Sequence, residues 1–208
     1  MDRAPKTLNP HKGEKEIVSS LQKNYIDGSM NYSNFYNEIN YISPGIHIKY
    51  YLSTCLKYIK NGEKWLDVGC GSANELKSML KHNITVYGMD VVEKSVENAK
   101  SNGINCIKNS ACEIYPYDDN YFDIVTCTDV LEHLTEIDAR KAVKEIYRVL
   151  KSNHYALLAP AITKDRTGYF HLTVKSRGWW IKLFEDEGLS FVEIIKPKGI
   201  LVKKTKSD

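Results

Sequence analysis

Two groups of residues in this chain could do chemistry. The first is Asp67-Val68-Gly69-Cys70-Gly71, which follows the apolar Trp65-Leu66 and leads into Ser72-Ala73-Asn74-Glu75-Leu76. The second is a pair of histidines, His133 in Thr128-Asp129-Val130-Leu131-Glu132-His133-Leu134 and His171 in Gly168-Tyr169-Phe170-His171-Leu172-Thr173. Glycines at 69 and 71 supply the backbone angles of a tight turn and let a ligand approach the main chain without a Cβ in the way. The spacing of Ala73, Leu76, Met79 and Leu80 predicts a helix over 73–82 whose first N–H groups point into that turn. The dinucleotide fingerprint needs glycine at the first, third and sixth positions, and the sixth here is Asn74. A carboxylate at a strand end beside the turn suits an ammonium or sulfonium better than a pyrophosphate.

Asp90 ends the next apolar run, nineteen residues after Gly71. At that offset one carboxylate can accept from both hydroxyls of a ribose. Histidine, with a pKa near neutrality, is the side chain suited to taking a proton from a hydroxyl.

These residues need a scaffold that brings strand ends together. Apolar periodicity predicts helices over 14–25, from Ser43-Pro44-Gly45 to Asn61-Gly62, and over 73–82, 92–101, 137–150 and 176–187. Strands are predicted over 64–68, 84–89, 104–107, 122–127, 155–159, 191–195 and 200–202, the last two as a hairpin. Such alternation requires an α/β fold: a Rossmann-like, doubly wound, mostly parallel seven-stranded sheet with an antiparallel C-terminal strand. Ligands in such folds bind beyond the carboxyl ends of the strands. Residues 1–60 read as a polar tail and an N-terminal helical cap or lid, and residues 61–208 as the core of one compact domain. Seven tyrosines, at 25, 32, 36, 41, 50, 51 and 58, fall in the first part, where they could cover a pocket or pack helices onto the sheet.

With 208 residues, 42% hydrophobic and 26% charged, the composition is that of an ordinary globular domain. Without a membrane-length apolar run, and with a polar start from Met1 to Lys15, a cytoplasmic location is expected. Five cysteines without a Cys-x-x-Cys pattern read as reduced, mostly buried thiols. A net charge of +3 is too small to argue for nucleic acid, and the lysines at 196, 198, 203, 204 and 206 read as guards of a solvated edge strand.

The acidic glycine turn with Ala73 in third-glycine position, Asp90, Phe122-Asp123 and the Leu131-Glu132-His133 segment together resemble the class I S-adenosylmethionine (SAM) dependent methyltransferases, in particular the small-molecule and quinone-biosynthesis type. The resemblance covers residues 64 to about 190. It implies SAM as cofactor, held by Asp67, Gly69, Cys70 and Gly71, by Asp90 with Val91, by Ser110 and Ala111 at the adenine, and by Thr128 at the methionine part. It places His133 near the methyl-transfer axis and His171 in the same pocket. It implies a small-molecule acceptor methylated at oxygen; an RNA ribose 2′-O-methyltransferase and a non-catalytic SAM-binding subunit are the alternatives. Some relatives hold a divalent metal with a carboxylate and histidine set like Asp129, Glu132, His133 and His171. The plainer reading of Glu132 and His133 is a hydrogen-bonded pair shaping the pocket.

Overall fold

The computed structural model describes residues 14–26, 29–43, 45–164 and 170–205. The predicted polar tail before Glu14, Gly28, Pro44, Gly168, Tyr169 and Lys206 lie outside the described residues. The chain starts with α1 (Glu14–Asn24), a small hairpin of β1 (Tyr25–Ile26) and β2 (Ser29–Met30), and α2 (Tyr32–Glu38). Sequence periodicity did not reveal α2, which is short and rich in tyrosine and asparagine; the Asn31 side chain caps it by accepting from the Asn34 amide. The predicted third helix is two pieces, a 3₁₀ turn His47–Tyr50 and α3 (Leu52–Cys55).

The alternating core follows as β3 (Lys64–Val68), β4 (Thr85–Asp90), α4 (Glu93–Ser101), β5 (Asn105–Lys108), β6 (Phe122–Thr128), α5 (Glu136–Val149), β7 (Leu150–Ala159), α6 (Arg177–Asp186), β8 (Leu189–Ile195) and β9 (Gly199–Lys204). The main sheet has seven strands in the order β5-β4-β3-β6-β7-β9-β8. Strands β3 to β7 pair in parallel, and β9 runs antiparallel to both β7 and β8. This is the expected α/β architecture with its one antiparallel strand. The order reverses at β3, so β3 and β6 border the crevice where such sheets bind ligands.

Period-two alternation divides the core between the sheet faces. Leu66, Val68 and Val125 pack with α2, α5 and α6, while Trp65, Val86 and Ile124 pack with residues 48–59, Leu76 and α4. The N-terminal segment thus meets both faces. Its α2 is tied to α5 by Tyr32, whose hydroxyl donates to Asp138 at 3.0 Å and accepts from the Thr135 amide at 2.9 Å.

Two expectations change. The predicted helix over 73–82 is a 3₁₀ stretch, Leu76–His82, because Ala73 is left-handed (φ 53°) and cannot start an α-helix. Two of the terminal lysines, Lys198 and Lys204, do not guard an edge. β9 is an interior strand, and Lys204 is buried under α5, donating to the Tyr147 and Leu150 carbonyls at 2.8 and 2.9 Å. The cysteines are free thiols, with Cys55, Cys70, Cys106 and Cys127 buried. Among the described residues no helix is long and apolar enough to cross a membrane.

Candidate active site

The crevice begins at the glycine turn. Gly69 and Gly71 adopt φ of 73° and 55°, yet the close approaches they permit are made by the protein itself. A Cβ at Gly69 would lie 2.2 Å from the Val130 side chain, and one at Gly71 would lie 2.6 Å from the Ser43 carbonyl oxygen. Each amide from 69 to 73 also has a partner. Gly69 and Cys70 donate to the Met89 carbonyl, Gly71 to Asp90 Oδ2, Ser72 to the Ser43 carbonyl and Ala73 to the Cys70 carbonyl. The amides of the turn itself, 69 to 73, are therefore engaged within the protein.

What the turn presents instead is negative charge. Asp67 is buried, and its Oδ1 accepts from the Thr126 hydroxyl at 2.6 Å, while that hydroxyl accepts from the Trp65 indole at 2.8 Å. Burial pushes the Asp67 carboxyl up to about 7 against this hydrogen bond, with the charge of Asp90 adding to the rise. Asp90 accepts from the Gly71 and Val92 amides, each at 2.9 Å, and burial raises it despite these bonds.

Both carboxylates open onto one cavity of about 530 Å³, within the roughly 300–1,000 Å³ usual for small ligands. Gly69, Cys70, Val91, Ser110, Ala111 and Thr128 line it with them, as do His133 and His171. Of the residues expected to hold the cofactor, Gly71 is the one outside the lining, where it anchors Asp90, and Glu132 of the carboxylate and histidine set is outside it as well. Three of the seven early tyrosines, Tyr32, Tyr36 and Tyr41, line the cavity as well. Tyr51 is buried on the opposite sheet face and Tyr58 packs against the Tyr155 ring.

His133 Nδ1 lies 3.0 Å from the Phe170 carbonyl oxygen, and His171 Nδ1 2.7 Å from that of Thr163. A ring N–H must donate in each contact, so Nε2 carries the lone pair in both neutral rings. Their centroids are 5.0 Å apart, with the rings edge to face. Glu132 is fully buried beside them, and neither of its oxygens has a hydrogen-bond partner. The expected Glu132–His133 hydrogen bond is not formed. Burial first, and then the charge of Asp129, push Glu132 up to about 8, against the pull of Lys198.

Glu132, His133 and His171 each offer a ligand atom within 4.8 Å of the others. Asp129 stands outside this group. Its left-handed backbone (φ 56°) turns the carboxylate to His47 and Lys198 instead, with His47 Nδ1 2.7 Å from Oδ2 and the Lys198 ammonium on Oδ1. Burial alone would raise Asp129, but these two partners outweigh it and hold the carboxyl below the usual range. Sequence reasoning missed His47 and Lys198, because they come from a loop and a hairpin whose spacing gives no signal.

A sheet with this order and two buried carboxylates at its ligand crevice defines a Rossmann-like α/β domain. The family described as "Methyltransferase domain" matches residues 66–158. A ubiquinone biosynthesis O-methyltransferase of Coxiella burnetii is 30% identical over 156 residues, covering 69% of this chain and 59% of the relative. The chain therefore spans about three-fifths of the length of that relative. Among solved structures, YcgJ of Bacillus subtilis superposes with a TM-score of 0.60 at 22% identity, covering 71% of each chain. A TehB-like SAM-dependent methyltransferase of Corynebacterium glutamicum gives 0.61 at 18%, over 77% of this chain and 89% of that one. Residues 66–158 thus match a methyltransferase domain, on a fold shared with solved SAM-dependent methyltransferases.

Proposed function

We propose that this chain moves a methyl group from SAM to an oxygen of a small-molecule acceptor. The observation that carries the reading is the pair of buried carboxylates, Asp67 and Asp90, facing a cavity whose turn offers no amide N–H to an anion. A cationic ligand offsets the desolvation that raises both groups, so the residues present fit SAM. Bound, SAM supplies an electrophilic methyl on a sulfonium.

The remaining work belongs to the chain. Asp90 and Val91 hold the ribose, Ser110 and Ala111 border the adenine, and Asp67, Gly69, Cys70 and Thr128 take the amino-acid end. His133 and His171 hold the acceptor oxygen beyond it, each ring oriented by a backbone carbonyl. Holding two reactants at attack distance can supply roughly 7–11 kcal/mol of the barrier. Tyr36, Tyr41 and Ile46 of the N-terminal cap shape the acceptor end. Oxygen as the atom methylated takes support from the Coxiella burnetii relative, itself named an O-methyltransferase. Lys198 and Lys204 are engaged inside the fold, which removes two of the terminal lysines as phosphate contacts for the RNA alternative.

A second reading is favoured by Glu132. A buried carboxylate with no hydrogen-bond partner beside two histidines suits a divalent cation held by Glu132, His133 and His171. The cation would polarise the acceptor oxygen. Calorimetry with SAM, and separately with Mg²⁺, Mn²⁺ and Zn²⁺, tests the two readings. Binding of SAM supports the first, and loss of ion binding in Glu132→Gln supports the second. A protein that binds ATP as well as SAM contradicts the first.

A further inference from the structure

Three histidines line the cavity, and the third has the most complete setting for proton transfer. We propose that His47 is the general base that takes the acceptor's proton, and that Asp129 is the residue that positions it. This rests on the methyl-transfer reading of the cavity. His47 lies in the 3₁₀ turn His47–Tyr50, and its Nδ1 meets Asp129 Oδ2 at 2.7 Å. That contact makes Nδ1 the protonated nitrogen and leaves Nε2 basic.

Its partner differs in kind from those of the other two rings. His133 and His171 each set Nδ1 against a backbone carbonyl, with the Glu132 carboxyl beside both rings. His47 faces a carboxylate, which stabilises the imidazolium that forms when a proton is taken. The hydrogen bond to Asp129 raises the His47 pKa above its ordinary value, against partial burial and the nearby Lys198. The charged groups facing it are Asp129 at the end of β6, Lys198 on the β8–β9 link and, more distantly, Glu132 in the Leu131–His133 turn.

Asp129 is built to stay where it is. It keeps a left-handed backbone, with φ of 56°. Lys198 grips its other oxygen, so the carboxylate stays ionised and turned to His47. The step balances. A lone pair of the acceptor oxygen forms the new O–CH3 bond, the S–CH3 pair returns to sulfur as a neutral thioether, and the hydroxyl proton passes to His47 Nε2. The half-exposed ring then returns that proton to water.

The test uses the full chain, saturating SAM and two phenol probes. Catechol is protonated near neutral pH and needs a base, whereas 4-nitrocatechol is largely ionised there and does not. His47→Gln is expected to slow methylation of catechol by about 10²–10⁴-fold while changing that of 4-nitrocatechol by less than about threefold and leaving SAM affinity intact. Asp129→Asn, in which asparagine keeps the left-handed backbone, should show the same split with a smaller loss. Equal loss on both probes, or no loss on either, with wild type active, overturns the His47 assignment and leaves the methyltransferase reading standing. A wild type that binds SAM and methylates neither phenol overturns the oxygen-acceptor reading, and the assignment with it.

Discussion

Gly71 donates its amide N–H to Asp90 Oδ2 at 2.9 Å, so the glycine turn after β3 and the acidic end of β4 are one unit. Asp90→Ala removes that anchor together with the acceptor proposed for the ribose. A hydrogen bond to a charged group contributes about 1.5–3 kcal/mol, which converts to roughly 10–100-fold weaker SAM binding by calorimetry. Circular dichroism should show the fold retained. Unchanged affinity would mean that the ribose lies elsewhere.

Asp67 gives the ligand-free protein a defined pH dependence. Its folded pKa, about 7, lies above the ordinary carboxylate value, so the folded state holds this proton more tightly than the unfolded chain. The associated stability is present below about pH 4 and is lost as pH rises to about 7. Asp67→Asn should therefore raise the Tm of ligand-free protein more at pH 8 than at pH 5. An equal change at both values contradicts the assignment of a buried, protonated Asp67.

Tyr32 joins the N-terminal segment to α5 through Asp138 and the Thr135 amide. Tyr32→Phe leaves buried groups short of a partner, a loss of about 1–3 kcal/mol measurable by urea unfolding. If this segment shapes the acceptor end, SAM affinity should hold while KM for an acceptor rises.

His133→Ala and His171→Ala should lower turnover on an accepted phenol more than SAM affinity. Both rings sit at the end of the cavity away from Asp90 in the proposed arrangement, so calorimetry with SAM separates a loss of acceptor handling from a loss of cofactor. Wild-type turnover in both variants would remove them from the reaction.

The sheet was legible because its strands are short apolar runs closed by turn residues, and β3, β4 and β6 fall within one or two residues of expectation. β7 was read too short, since its first half, Lys151-Ser152-Asn153-His154, is polar and makes its ties at the sheet's end, Lys151 donating to Asp123 at 2.6 Å. α2 was invisible because tyrosine and asparagine carry no apolar stripe, and packing of Tyr32 and Phe35 decides it. The residues proposed for the cofactor were legible through local motifs. His47 and Lys198 were not, because they reach Asp129 from 82 and 69 residues away and only the folded chain brings them together.

The central proposal is that the crevice bordered by β3 and β6, with Asp90 at the end of β4 beside it, takes a positively charged adenosyl ligand. Calorimetric titration of the full chain with SAM at pH 6 and pH 8 tests it most directly. The account expects tighter binding at pH 8, with proton release at pH 6, as the cation displaces the proton from Asp67. Binding that is absent, or equal at both pH values with no proton exchange, would contradict it.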